Sequence, residues 1–154
     1  MQENYLISII GKQNVGGELG EVSLTTFGSY IKKGDHYFIA YKEYDTENNA
    51  PPQTSILKIT NGSTVSLMRV GPQGTRLILE KGKRHLCQYD TGFGNLMIGI
   101  FTQDVDSNLS ETGGTLQIRY TMDIDSNLSS LNEISITVKE ANNNDVKIST
   151  AGNG

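Results

Sequence analysis

Apolar residues alternate with polar residues along most of the chain, and this period of two is what most limits the fold. Near the end of the chain, Ile134, Ile136 and Val138 alternate with polar residues. Successive side chains of a strand point to opposite faces of a sheet, so such a segment buries one face and exposes the other. We find no segment that keeps the 3.6-residue period of a helix. The pattern therefore predicts an all-β protein.

The spacing of these segments indicates one antiparallel barrel or sandwich of about ten short strands. The chain has 154 residues, which suits a single domain, and its 17 glycines favour strands joined by tight turns over helices. We expect residues 1–141 to form this domain and residues 142–154 to be a flexible tail. The predicted strands lie near 5–12, 22–30, 37–43, 54–60, 64–70, 75–80, 84–91, 95–103, 115–123 and 131–140.

The first predicted hairpin turns at Gly34 and Asp35. A two-residue turn at this point places Tyr30 opposite Ile39 on one face of the sheet. That face also carries Gly28, Thr26, Tyr41 and Glu43. We expect it to point into the barrel.

A second hairpin is predicted at Asn61-Gly62, where both residues must take positive φ. A two-residue turn there places Lys58 opposite Val65 and Thr54 opposite Arg69. If the face with Ile56 and Leu67 points inward, Thr54, Lys58 and Arg69 lie in the interior. The opposite face, with Leu57, Ile59, Met68 and Val70, is equally apolar, so the orientation stays open at this stage.

Charge and composition disfavour several partners. The chain has 13 basic and 17 acidic residues, and its longest basic cluster is 81–84, so we expect no nucleic-acid binding. No apolar run approaches the roughly 20 residues that span a bilayer, and the first ten residues do not resemble a signal peptide. The single Cys87 allows no intramolecular disulfide. We therefore expect a cytoplasmic protein that does not bind membranes.

Two similar stretches, D-V-D-S-N-L-S at 104–110 and D-I-D-S-N-L-S at 123–129, resemble the start of a calcium-binding loop. Such a loop needs Gly at its sixth position and Glu at its twelfth. The sixth residues here are Leu109 and Leu128, and the twelfth are Thr115 and Ile134. We expect no metal site, and we interpret both stretches as strand ends in which Asp and Asn form Asx turns.

No catalytic or cofactor-binding constellation is predicted. His85 and Cys87 lie on the same face of one strand, but their Cβ atoms should be about 7 Å apart and no neighbouring acid orients the imidazole. The glycine-rich stretches 15–20 and 91–95 lack the spacing of a phosphate-binding loop. We expect neither an enzyme nor a bound cofactor.

Several motifs, taken in order along residues 3–140, resemble the YwiB-like proteins. They are T-T-F-G-S-Y-I-K-K-G-D-H-Y-F-I-A-Y-K-E at 25–43, L-M-R-V-G at 67–71, Y-D-T-G-F-G-N-L at 89–96 and N-E-I-S-I-T-V-K-E at 132–140. These are small bacterial proteins of unknown function. The resemblance implies a calycin-type, lipocalin-like, up-and-down β-barrel of about 8–10 strands and a cytoplasmic location. It implies no reaction, because a fold alone does not establish a function.

We expect a non-catalytic barrel that binds a small polar or amphipathic ligand in its interior. Glu43 and Arg69 should pair inside the barrel, and the competing interpretation is that this ion pair closes a solid core. A second functional hypothesis is a protein-interaction scaffold without a small ligand, and a homodimer is possible in either case. The candidate ligand-binding residues are Tyr30, Tyr41, Glu43, Thr54, Lys58, Arg69 and Tyr89.

Overall fold

The computed structural model describes residues 4–43, 53–70, 75–90 and 94–141, except for the side chains of Tyr89, Asp90 and Asn95. All ten elements in these ranges are β-strands. They are β1 (Tyr5–Val15), β2 (Glu18–Lys33), β3 (His36–Glu43), β4 (Gln53–Thr60), β5 (Thr64–Val70), β6 (Thr75–Glu80), β7 (Arg84–Asp90), β8 (Asn95–Ser110), β9 (Gly113–Ile124) and β10 (Asn127–Glu140).

The strands form a closed antiparallel barrel. Each strand pairs with its neighbours in the sequence, and β10 pairs with β1 to close the sheet. Closure removes the exposed sheet edges that an open antiparallel sheet would leave. The predicted all-β, up-and-down barrel is confirmed. The predicted flexible tail, residues 142–154, lies outside the described residues.

Three tyrosine rings fill one end of the barrel, which we call the closed end. The ring of Tyr30 lies 5.3 Å from that of Tyr5 and 6.0 Å from that of Tyr37, measured between centroids. The Tyr30 hydroxyl donates a hydrogen bond of 2.5 Å to the carbonyl oxygen of Ser110, next to the β8–β9 turn. At the opposite end, which we call the open end, β3 and β5 terminate at Glu43 and Val70.

A solid apolar core lies between these two ends. The side chains that point inward from successive strands are almost fully buried, so the alternation predicted from the sequence supplies the core directly. The largest of them are Ile7, Ile39, Ile59, Val65, Leu79, Ile98, Ile100, Leu116, Ile118 and Val138.

The first hairpin has the predicted register. Tyr30 lies opposite Ile39 and Gly28 lies opposite Tyr41, because Gly34 and Asp35 form a two-residue turn. An added Cβ at Gly28 would lie 2.4 Å from both the Ala40 carbonyl oxygen and the Ile7 Cδ1 atom, so glycine is required where these strands approach.

The second hairpin differs from the prediction by one residue. Asn61 and Gly62 do take positive φ values of 53° and 68°. However, Ser63 also belongs to the loop, since Thr60 pairs with Thr64. A shift of one residue reverses which side chains share a face.

The shifted register corrects the predicted interior. Leu57 lies opposite Leu67 and Ser55 lies opposite Arg69, and these four side chains point inward. Thr54 and Lys58 therefore belong to the outer face, and their predicted place in the interior was wrong. Lys58 is exposed, and its ammonium group lies 6.0 Å from the centre of the Phe38 ring.

The two D-x-D-S-N-L-S stretches have different structures, so the interpretation of both as strand ends was wrong for the first. Residues 104–110 lie within β8, with Val105 buried and Asp106 exposed. The second stretch includes the β9–β10 turn, where Asp125 and Ser126 take positive φ values of 53° and 68°. The Ser126 amide donates to Asp123 Oδ1 at 3.3 Å, which is the predicted Asx-type bond.

Candidate functional site

Polar side chains replace the apolar core toward the open end, on strands β3 to β7. Register places Tyr41, Ser55, Arg69, Thr75 and Tyr89 opposite one another in series. We call these residues the first polar row; for Tyr89 only the backbone is described. The next inward positions toward the closed end are apolar and form the series Ile39, Leu57, Leu67 and Leu77. The row therefore marks the boundary of the solid core.

A second polar row lies on the other half of the barrel. Thr102, Tyr120, Asn132 and Gln13 are opposite one another on β8, β9, β10 and β1. Each of them is at an inward-facing position of its strand, as the alternation from the buried Ile118 indicates. The charge of Arg69 acts on the pKa of Tyr120, so the guanidinium of the first row lies near the second row.

Arg69 and Glu43 form the predicted ion pair, with Arg69 Nη2 3.8 Å from Glu43 Oε1. This distance is longer than a hydrogen bond, and the side chains are 35% and 30% exposed. The buried Arg69 Nε has no hydrogen-bond partner among the described residues, and neither does Thr102 Oγ1. Within the described part of the chain, the two rows thus contain buried polar groups that make no hydrogen bond.

The tyrosines of these rows are held in their neutral form. Burial raises the pKa of Tyr41, and the charge of Glu43 raises it further, while Ser55 and Arg69 oppose the shift. Burial also raises the pKa of Tyr120, against the effect of Arg69. A neutral phenol donates a hydrogen bond, so both hydroxyls are available as donors at neutral pH.

Two cavities reach these rows. The larger has a volume of about 760 Å³; its lining includes the inward Gln13, Tyr120 and Asn132, but most of it consists of outer-face residues such as Leu19 and Glu133. The smaller, of about 590 Å³, includes Arg69, Thr75 and Cys87. It lies where β6 and β7 meet, and the two strands share one registered pair, Thr75 with Tyr89. Both volumes lie in the range of small-molecule sites.

Comparison with known proteins identifies the family. Residues 7–136 match the family described as "Domain of unknown function (DUF1934)". The chain belongs to the DUF1934 family. It is 27% identical over 113 residues to the uncharacterized beta-barrel protein YwiB of Bacillus subtilis (strain 168), which covers 73% of this chain and 76% of that protein. The predicted YwiB-like family is confirmed.

A solved structure shares the fold of this DUF1934 domain. The crystal structure of the ywiB protein from Bacillus subtilis superimposes with a TM-score of 0.78 and 22% sequence identity. The match covers 90% of this chain and 92% of that one. This agreement supports the barrel architecture; the family description itself assigns no activity.

The structure brings together some of the predicted site residues of this DUF1934 domain. Tyr41, Glu43 and Arg69 lie near one another at the open end. Tyr30 lies in the closed-end cluster, where its hydroxyl already binds Ser110. Thr54 and Lys58 are on the outer face, and the side chain of Tyr89 is outside the description.

Sequence analysis missed Ser55, Thr75, Thr102 and Tyr120. The first two follow from Arg69 once the register of the second hairpin is right, because both are its direct cross-strand neighbours. Tyr120 was visible as an inward residue of its strand, alternating with Ile118. However, Tyr120 and Arg69 approach each other across the barrel, and no local sequence pattern predicts that two such distant segments lie close together.

His85 has an acidic partner that the sequence did not reveal. The Nε2 atom of His85 lies 2.9 Å from Glu80 Oε1, across the β6–β7 turn, so the expectation of no orienting acid was wrong. Hydrogen bonding from His85, and then from Lys83, lowers the pKa of Glu80. Cys87 is a buried free thiol two residues further along β7.

The carboxylates that begin the D-x-D stretches pair with basic side chains. Asp104 lies 3.3 Å from the Lys81 ammonium, and Asp123 lies 2.6 Å from Arg84 Nη2. Hydrogen bonding from Arg84 lowers the pKa of Asp123. In the described ranges, no three His, Cys, Asp or Glu side chains are grouped as metal ligands. Nor does any helix in these ranges have the length and hydropathy needed to cross a membrane.

We predict that this DUF1934 domain loses stability above about pH 10, the ordinary pKa of tyrosine. Burial raises the pKa values of Tyr30, Tyr41 and Tyr120 in the folded state. Below that pH, the phenols are protonated in both the folded and the unfolded chain, so their ionisation does not change the free energy of unfolding. Above it, the unfolded chain loses these protons first, so stability falls as pH rises toward the folded-state pKa values.

Absorbance at 295 nm and circular dichroism, recorded together from pH 8 to pH 13, test this prediction. We expect part of the tyrosine signal to titrate late and together with unfolding. Titration of all seven tyrosines near pH 10 with the fold intact would contradict it.

Proposed function

We propose that this barrel is a non-catalytic binding protein for a small organic anion. The anion, a carboxylate or a phosphate ester, occupies the open end between the two polar rows, with Arg69 as its main anchor. The single observation that carries the proposal is the buried Arg69 Nε atom, which lacks a hydrogen-bond partner among the described residues. The buried free thiol of Cys87 suits a reducing compartment, so we place this function in the cytoplasm.

The chemistry of Arg69 fits an anion. A guanidinium presents its N–H donors in a planar fork that matches the two oxygens of a carboxylate or phosphate. Glu43 neutralises its charge from 3.8 Å, but that distance leaves the donors free to bond elsewhere. A buried donor without a partner costs about 1–3 kcal/mol, so a ligand that accepts its hydrogen bond is favoured.

The remaining residues of the rows suggest the shape of the ligand. Ser55 offers a buried hydroxyl beside Arg69, and Tyr41 and Tyr120 offer neutral hydroxyls on apolar rings. Below them, Leu57, Leu67 and Leu77 form an apolar floor. An amphipathic acid would place its charged group on Arg69 and its apolar part on this floor or on the tyrosine rings.

The alternative function is a protein-interaction scaffold. Exposed apolar side chains on the outer face favour it: Val70 is 51% exposed, Leu86 63% and Met97 47%. The buried Arg69 Nε, which lacks a hydrogen-bond partner among the described residues, favours the binding protein over a barrel that is solid throughout. We therefore rank the anion-binding function first.

Native mass spectrometry of the purified chain is the first experiment, because a co-purified acid adds its mass to the intact protein. A thermal-shift screen of carboxylates and phosphate esters then supplies ligands for titration. We expect Arg69→Gln to weaken binding about 10-fold to 100-fold, as loss of a charged hydrogen bond of 1.5–3 kcal/mol implies. Tyr41→Phe should weaken it less.

Arg76→Gln is the matched control. Arg76 also lines the 590 Å³ cavity, but it is exposed and points outward, opposite Met68. Its replacement removes the same charge and should change the affinity less than 3-fold, since surface charges contribute little. Equal losses in both variants, or unchanged affinity in Arg69→Gln, would show that Arg69 does not anchor the ligand.

A further inference from the structure

Among the described residues, one segment of β2 pairs with β1 but not with β3. The strand pairs with β1 from Gly28 back to Glu18, whereas its pairing with β3 covers Gly28–Lys33 alone. Lys42 and Glu43 of β3 continue to pair with β4 but not with β2. Within the described ranges, residues 18–27 therefore pair on one side, and a β1–β2 arm extends beyond the barrel wall.

The segment has little protection against strand pairing: its charged residues are Glu18 and Glu21. The sequence of 18–27 is E-L-G-E-V-S-L-T-T-F, without the lysine or proline that commonly blocks edge strands. Two large apolar side chains of this segment are open to solvent, Leu19 at 83% and Val22 at 72% exposure. An unpaired backbone edge is matched by another extended strand, since that partner satisfies its N–H and C=O groups.

We propose that residues 18–27 of two copies pair antiparallel to form a symmetric dimer, with the twofold axis at Val22. A twofold axis perpendicular to the sheet leaves corresponding side chains of the two copies on the same face of the sheet. The residue numbers of two directly opposed positions must therefore add up to an even number. The axis at Val22 sets Val22 against its own copy and Glu21 against Ser23 of the second copy. Gly20 then faces Leu24, and Glu18 faces Thr26.

The two adjacent registers are disfavoured. An axis at Glu21 would oppose two like charges directly, which is destabilising. An axis at Ser23 would push the Gly16-Gly17 turn of one copy toward Gly28, where β3 already pairs with β2. The axis at Val22 avoids both conflicts and buries the two exposed valines against each other.

The backbone geometry of the arm agrees with this pairing. Two-residue turns join Val15 to Glu18 and Lys33 to His36. In such hairpins the flanking pair is hydrogen-bonded, so even residues of β2 bond to β1 and odd residues face the free edge. Leu19, Glu21, Ser23 and Thr25 then supply about eight bonds between the copies. Leu19 and Glu21 also line the 760 Å³ cavity, so the second copy would extend its wall.

Sedimentation velocity over a wide concentration range tests the dimer. A single strand pair is smaller than a standard protein interface, so we expect a dissociation constant of about 1–100 µM. Val22→Lys and Val22→Asp should each be monomeric at low salt, because like charges meet at the axis. An equimolar mixture of the two variants should dimerise again. Wild-type protein that stays monomeric throughout would overturn the proposal, as would both charged variants dimerising like wild type.

Cross-linking tests the register. Val22→Cys should form an intermolecular disulfide on mild oxidation, because directly opposed Cα atoms lie about 4.5–5.5 Å apart. Thr25→Cys is the matched control, since two copies of residue 25 would be about 20 Å apart in this register. Wild-type protein controls for Cys87, which is buried. Cross-linking of both variants, or of neither, would overturn the proposed register, and circular dichroism verifies that each variant is folded.

Discussion

Replacing Gly114 with alanine should lower the free energy of unfolding by about 3–5 kcal/mol, combining backbone strain with overpacking. Gly114 takes a φ of 140°, which L side chains rarely adopt. An added Cβ would also lie 2.1 Å from the carbonyl oxygen of Asn108, on the neighbouring strand. Because that atom belongs to the backbone, β8 and β9 would have to separate where they begin to pair.

Urea unfolding, followed by circular dichroism, measures this effect. Gly11→Ala is the control, because its Cβ would meet nothing within 4 Å and its φ lies outside the strained region. That change should alter stability by at most about 1 kcal/mol, as expected for a glycine in a strand. Equal stabilities of the two variants would show that the β8–β9 turn tolerates a side chain at residue 114.

Replacing Ile39 with alanine should cost about 2–5 kcal/mol, the range for removing a large aliphatic side chain from a packed core. Ile39 is fully buried at the centre of the inner face, between Tyr30 on β2 and Leu57 on β4. Those neighbours are held by cross-strand pairing on both sides, so they can collapse only partly into the space. The same denaturant titration gives the difference.

Leu86→Ala provides the comparison for Ile39→Ala. Leu86 also lies in the middle of a paired strand, β7, but its side chain is 63% exposed on the outer face. Truncating this side chain should therefore lower the free energy of unfolding by less than about 1 kcal/mol. A cost at Ile39 no greater than that at Leu86 would contradict the description of the barrel centre as a solid core.

The candidate site was only partly predictable from sequence. Tyr41 and Glu43 were placed correctly because the Gly34-Asp35 turn has two residues, as predicted. Thr54 and Lys58 were misplaced because the loop after β4 contains three residues, 61–63, and the extra residue exchanges the faces of β4 relative to β5. Both faces of that hairpin are apolar, so the hydrophobic pattern alone offered no correction.

The two D-x-D-S-N-L-S stretches show the same limit. Their sequences differ at one position, yet the first continues β8 and the second includes a turn. In the first, pairing with β9 keeps the chain extended: Asp104 lies opposite Arg119, and Val105 is buried opposite Ile118. In the second, Asp125 and Ser126 form the turn and Asp123 binds the Ser126 amide. The neighbouring strand, not the local sequence, separates the two outcomes.

The sequence by itself determined the all-β fold class and the approximate positions of the strands, and closure of the barrel was implied by the family resemblance. Period-two alternation and turn residues are local properties, and together they specify which segments extend, but they specify the buried face only where one face is clearly the more apolar. Only the tertiary structure decided the register of β4 and β5 and brought Arg69 near Tyr120 across the barrel. Within the described ranges, it also showed that residues 18–27 of β2 pair with β1 alone. These features depend on contacts between distant segments, where a shift of one residue reverses a face without changing the pattern.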